Sequence, residues 1–205
     1  MSDSDIHSII YSKNVVEFVT VAGEYCATIE QVGRHNAEEN LGKLQKILPL
    51  LYLKASLLPA VEQQMEEELE KFVSELDYNN LHQKWLGQLG EHDDFYEVFD
   101  PNIQFGSETV TASVSENLMD IYQDLKEFVT SYSIGNEEVM NDALAECSFH
   151  FNEFWGQQLV NVLRAVHMLL VSGVDFTEET NDEPAPGSGN PKWLDNFWGT
   201  NEEED

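Results

Sequence analysis

The stretch "ECSFHFNEFWGQQLVNVLRAVHMLL" carries six polar residues at helical spacing, of the types that do chemistry. At 100° per residue, Glu146, His150, Glu153, Gln157, Asn161 and Arg164 fall within about 80° of arc. Neutral imidazole, carboxylate and guanidinium one turn apart could bind a metal, hold an anionic ligand or move a proton. Glu146, His150, Glu153, Gln157 and Arg164 are therefore the candidate ligand-binding residues. The simpler alternative is a satisfied seam, with Glu153 paired to His150 and Gln157 to its neighbours, because buried polar groups normally satisfy one another.

The metal version is weakened by a count. Helical di-iron sites use Glu-x-x-His on two helices, whereas this chain has the reversed order at His150/Glu153 and His35/Glu38. With 39 acidic residues in 205, about one such match is expected by chance, and two occur. No metal, cofactor or catalytic residue is assigned on this basis. The chain has no phosphate-cradling glycine loop, no GxSxG elbow and no HExxH. Cys147, three residues before His150, could be activated by it, but its neighbours Leu144 and Phe151 mark an inert core thiol. In "DDFYEVFDP", Asp93, Asp94, Glu97 and Asp100 lack the alternating spacing and fixed glycine of a calcium loop. A turn pinned by Phe95, Tyr96 and Phe99 is the better reading.

Apolar residues nearly surround the polar stripe, including Phe151, Trp155, Leu159, Val162, Leu163, Val166 and Leu169, so its helix should be central in a bundle. Gly156 would let a neighbouring helix come close beside Trp155. That last helix should start at Asn136, a good cap, with Glu137 and Glu138 at its positive end, and run to about Ser172. Upstream, Ile6 to Val32 reads as one amphipathic helix. A second follows "GRHNAEEN", with Leu41, Leu44, Leu48, Leu51 and Ala55 on one stripe and a kink expected at Pro49. The piece "VEQQMEEELEKF" reads as loop or frayed helix. Ser74 and Asp77 open a third helix that ends near Gly87 or Gly90, and "SENLMDIYQDLKEFVTSY" forms a fourth that Gly135 stops. Between these two, the aromatic-acidic connection near 91–112 is irregular, with room for one short strand pair.

The resulting expectation is an all-α, single-domain helical bundle of about five helices over residues 1–174. The segments "EFVTVAGEYC", "LLYLKASLLP", "DDFYEVFDP", "SENLMDIYQDLKEFV" and "HFNEFWGQQLVNVLRAVH" resemble a family of uncharacterised bacterial proteins, domain of unknown function 5063. The similarity covers roughly residues 10 to 172. Its most specific parts are "FYEVFDP" and the spacing of His150, Trp155 and Gly156. The resemblance implies an all-helical soluble domain and supplies no activity, cofactor or catalytic residue.

A net charge of -29 argues against nucleic acid and anionic membranes as partners, since phosphate contacts need clustered Lys and Arg. Two cysteines, Cys26 and Cys147, make no secreted framework, and "MSDSDIHSII" lacks the basic start of a signal peptide. The longest apolar stretch is broken by Asn161, Arg164 and His167, so it is not a membrane span. A cytoplasmic location is expected.

Beyond the bundle, residues 175–189 read as a flexible acidic Pro/Gly linker. In "NPKWLDNFWG", Asn190 caps, Pro191 starts and Gly199 stops a short helix, with an acidic run after it to residue 205. Its Trp193, Leu194, Phe197 and Trp198 are candidate interaction residues, because aromatics at that density are costly to leave in water. They would fold back on the bundle or anchor another protein or a second copy of the chain. The expectation is a non-enzymatic domain acting through protein contacts, against the rival of a small-ligand or enzymatic pocket on the polar stripe. A weaker third reading is an acidic decoy for a nucleic-acid-binding protein.

Overall fold

The computed structural model describes residues 3–96 and 111–176. The linker from residue 177 on, the aromatic segment, Glu97, Phe99 and Asp100 lie outside the described residues. The helices are α1 (Asp3–Ile10), α2 (Lys13–Glu30), α3 (Ala37–Ala55), α4 (Glu75–Leu89), α5 (Val114–Ser133), α6 (Glu137–His150) and α7 (Gly156–Ser172). Among the described residues there is one antiparallel strand pair, β1 (Asp94–Tyr96) with β2 (Thr111–Ser113).

Helices α2, α3, α7 and α5 pack in a closed ring, each against the next. Their cross-links give the directions. Lys54 reaches Glu17 at 2.8 Å while Asn14 donates to the Leu57 carbonyl, so α3 runs against α2. Gln45 meets His167, whereas Tyr52 packs on the Phe151 ring, so α7 runs against α3. Phe18 meets Phe128 and the Tyr25 hydroxyl donates to the Leu118 carbonyl, so α5 runs against α2 and parallel to α3. This is an up-down-down-up four-helix bundle, and such an order needs one long crossover connection. Residues 56–113 supply it.

The core follows the sequence stripes. Phe18, Tyr25 and Ile29 of α2, Leu41, Leu44, Leu48 and Leu51 of α3, Leu118, Ile121 and Leu125 of α5, and Leu159, Val162 and Val166 of α7 are fully buried. Each such aliphatic side chain contributes about 1.5–3 kcal/mol of hydrophobic stabilisation. Buried polar tips find partners within the bundle: the Trp85 indole donates to the Ile29 carbonyl and the Tyr132 hydroxyl to the Ile10 carbonyl. Ser74 caps α4 by accepting from the Asp77 amide, and Asn136 caps α6 by accepting from Glu138 and Val139. Helix α3 continues through Pro49, which lies on its exposed side.

Two expectations are corrected. The helix read from Ile6 to Val32 is two helices, because the chain breaks at Tyr11 and Ser12, where Ser12 takes an extended backbone. The break lets α1 leave the α2 axis and pack on α6, with Ile6, Ile10 and Met140 in a small core of their own. The last helix is likewise not uniform. Residues Phe151–Trp155 form one π turn between α6 and α7.

That turn explains Gly156. The Gly156 amide donates five residues back to the Phe151 carbonyl, and a Cβ at 156 would overlap that oxygen and press on the Phe151 ring at 3.0 Å. The missing side chain therefore accommodates the helix's own wide turn, not a neighbouring helix. A π turn inserts one extra residue, so everything after it is rotated by about 100° from a uniform projection.

Candidate functional site

The rotation divides the polar stripe. Before the turn, Glu146 and His150 face α5. After it, the residue in line with them is Gln158, whose amide donates to the Asp120 carboxylate at 2.9 Å. Gln157 and Arg164 are exposed and face away, towards α3, and Glu153 is exposed between the two groups. The five candidates are thus not one site. His150 and Glu153, the proposed seam pair, do not meet; His150 instead bonds Asp124 through Nδ1 at 2.7 Å.

What Glu146 and His150 do face is a line of carboxylates on α5. Asp120, Asp124 and Glu127 recur at i, i+4 and i+7, beside the buried stripe of that helix. Asp120 accepts from the Tyr78 hydroxyl at 2.7 Å as well as from Gln158. Glu127 accepts from the amides of Phe72 and Val73 at 2.7 and 2.8 Å. On α6 the buried Asp142 accepts from the amides of Gln64 and Met65 at 2.7 and 2.8 Å, and the Asn141 side chain donates to the Glu62 carbonyl. Residues 61–72, read from the sequence as loop or frayed helix, are accordingly part of an irregular strap, 59–74, with no helix. Its amides have no ladder of their own, so side chains of α5 and α6 supply acceptors.

Strap and helices enclose a small polar cleft. Leu69, Lys71, Asp124, Glu146, Cys147 and His150 line it, and it holds about 20 Å³, on the order of one water. Lys71 of the strap pairs with Glu146 at 2.6 Å. Burial raises the Asp124 pKa, an effect opposed by the His150 hydrogen bond. The arrangement is a carboxylate-histidine pair beside two groups of nucleophilic type that line the same cleft, the buried Ser131 hydroxyl and the Cys147 thiol. Cys147 is fully buried, and burial, with the charges of Asp124 and Glu146, pushes its thiol well above the ordinary range. The thiolate is the reactive form, so His150 does not activate it.

Among the described residues no group of three or more His, Cys, Asp or Glu side chains is placed to hold a metal ion. Neither reversed motif is made: His35 bonds Glu39, not Glu38. The Asp93 carboxylate is spent on the start of α5, accepting from the Ser115 amide at 2.7 Å and from the hydroxyls of Ser113 and Ser115. Phe95 is buried and pins that turn.

Outside the strap lies a larger hollow of about 610 Å³, edged by Val61, Gln63, Leu69, Lys71, Glu146 and the exposed Phe149. A third hollow, of about 370 Å³, opens between α3 and α7 over Tyr52, Phe151, Gly156, Gln157, Val160 and Asn161. It opens beside the π turn, with Gly156 in its wall.

Around that third hollow the chemistry of the surface changes. The two longest stretches of the sequence without an acidic residue are 40–61 and 154–174, with Lys43, Lys46, Lys54 and Arg164 as their only ionised side chains. They are the bodies of α3 and α7, which lie side by side. Lys54 pairs with Glu17, but Lys43, Lys46 and Arg164 have no ion-pair partner among the described residues. Tyr52, Leu53, Val160 and Val171 are exposed beside them. Composition had hidden this face, because the charge of the whole chain is so negative; the signal was the two gaps in the distribution of Asp and Glu.

An all-helical bundle with a strapped side and one acid-free face is the class this architecture defines, and among the described residues no helix is long and apolar enough to cross a membrane. The chain belongs to the family described as domain of unknown function DUF5063, whose model matches residues 9–172. No curated protein matches it. It is similar to the crystal structure of protein BF1032 from Bacteroides fragilis, with 42% identity over 78% of this chain and 94% of that one, at a TM-score of 0.70.

Proposed function

We propose that the chain is a non-enzymatic helical domain that works through protein contacts made on the α3/α7 face. The observation that carries this reading is the absence of carboxylates from that face in a chain of net charge -29. Most of the remaining surface carries Asp and Glu; here exposed apolar side chains edge a hollow, with Lys46 and Arg164 further along the same two helices and no carboxylate between. Such a surface suits an amphipathic helix with acidic flanks, laid into a groove. The cytoplasm is the compartment this reading takes, since both cysteines are free and buried.

The test is a photo-crosslinking residue placed at Leu53 or Val160, with Asn80 of α4 as a comparison site, in native lysate. Discrete protein adducts are expected from the first two positions, and Lys46→Glu with Arg164→Glu should remove them. Adducts of equal yield from Asn80, or adducts indifferent to the charge reversal, would overturn the reading.

A second reading is favoured by the hollow outside the strap, whose volume lies in the range of small-ligand sites and whose edge offers Lys71 and Phe149. A ligand there would be a small anion with an apolar body. Ligand-detected NMR on mixtures of small carboxylates tests it: binding should be lost in Lys71→Ala and in Phe149→Ala, and no binding by the unaltered chain would sink it.

A further inference from the structure

We infer that the α3/α7 face is the docking site of the chain's own segment 190–205, which rests on reading that face as a contact surface. Three observations converge. First, the segment has the chemistry the face lacks. Residues 177–205 carry nine acidic side chains against the single Lys192, and within them Trp193, Leu194, Phe197 and Trp198 form one apolar side of a predicted helix. An acidic, aromatic helix is repelled by the strap side, where Glu68, Glu70, Asp124, Glu127 and Glu146 crowd. It is attracted where Lys46 and Arg164 stand with no carboxylate between them. Like charges act against docking on the carboxylate-bearing surfaces.

Second, the face has a receptacle of the right kind. The hollow above Gly156 is floored by the Phe151 and Tyr52 rings and edged by Val160, with Gln157 and Asn161 as polar groups. An indole ring buries much apolar area and needs one acceptor for its N–H, which Gln157 can supply. Arg164, one turn beyond Val160, stands where it can meet Asp195 or the run Glu202 to Asp205.

Third, the chain can reach. Helix α7 ends at Ser172, and Phe176, the last described residue, packs its ring on His92 at the far end of the bundle from the hollow. From there to the hollow is the length of α7, about 26 Å at 1.5 Å per residue. Residues 177–192 span up to about 55 Å when extended. A return along the α3/α7 groove is therefore within reach, with length to spare for the turn.

The segment then acts as an internal competitor. An acidic helix from another protein has to displace it, and the face is available in proportion to how often the segment leaves.

The experiment is paramagnetic relaxation in the full chain, with a spin label on Asn196→Cys, off the aromatic side of the segment. Cys26 and Cys147 are buried with raised thiol pKa values and resist labelling. The expected result is loss of the amide signals of Lys46, Leu53, Val160 and Arg164, return of those signals on reduction of the label, and their return also in Lys46→Glu with Arg164→Glu or in Trp193→Ala with Trp198→Ala. Losses on another surface, or no losses, overturn the inference. Losses seen only when labelled and isotope-enriched chains are mixed also overturn it, since the occupant is then a second copy. In any of these cases the crosslinking experiment still decides the face reading on its own terms.

Discussion

The two long sides of this bundle use charge in opposite ways. On the α5/α6 side nearly every carboxylate is committed: Asp142 and Glu127 hold backbone amides of the strap, Asp120 holds Tyr78 and Gln158, and Asp124 holds His150. On the α3/α7 side carboxylates are absent and cations are uncommitted. The first side spends its polar groups on its own fold, which suits a structural seam. The second bonds Gln45 to His167 across its two helices, but leaves Lys43, Lys46 and Arg164 without an ion-pair partner among the described residues, beside exposed apolar side chains, which suits recognition.

Substitutions on the two sides should therefore differ in kind. The largest effect is expected from Asp142→Ala, which leaves the amides of the half-buried Gln64 and Met65 without their acceptor. The cost should be about 3 kcal/mol, read by denaturant unfolding, with faster proteolytic cleavage between residues 59 and 74. If Asp142→Ala unfolds at the same denaturant concentration as the unaltered chain, the strap is not held as described. Gly156→Ala comes next, at about 2 kcal/mol, since it forces the Phe151 carbonyl and ring to move. Its loss should appear on both sides at once, because the π turn sets the phase of each.

A smaller effect separates the seam from a catalytic pair. Burial raises the folded Asp124 pKa above its unfolded value of about 3.9, so this group's contribution is fully present below that value and is lost as pH rises through the folded pKa. Relative to Asp124→Asn, the unaltered chain should lose stability between about pH 3.5 and neutrality, measured as the difference of two stability-pH curves. A difference of the opposite sign would mean that the His150 bond outweighs burial. The smallest effect is expected on the other side: Lys46→Glu with Arg164→Glu should shift the stability of the bundle by no more than about 0.5 kcal/mol, because no ion pair among the described residues is broken. A larger loss in that variant would show that the cations already serve the bundle and would erase the contrast.

The sequence was informative where structure is local. Ser74 and Asn136 cap the helices they were expected to cap, and the apolar stripes of α3, α5 and α7 are the core, because capping and periodicity are decided within a few residues. It was silent where the partner is distant. Nothing in "VEQQMEEELEKF" says that its amides will be received by Asp142 and Glu127, far along the chain. The stripe from Glu146 to Arg164 misled for a different reason. Uniform projection assumes one residue per 100°, and a π turn breaks that rule without changing composition or amphipathic character. Gly156 beside the aromatic pair Phe151 and Trp155 was the visible trace of it, although it was read as room for a neighbour. The α1/α2 break was equally masked, since Ile6, Ile10 and Phe18 continue an apolar pattern across it.

The π turn also fixes where this chain can lose length. A deletion of one residue anywhere else in 137–172 would swing all that follows by about 100°, carrying Arg164 or His167 into the core and Val162 into water. Removal of Asn152 or Glu153, both exposed, would instead absorb the surplus residue, straighten the helix and leave both faces in register. Gly156 would then be free to become alanine. Shorter relatives of this domain should have their gap within these five positions, and should lack the glycine.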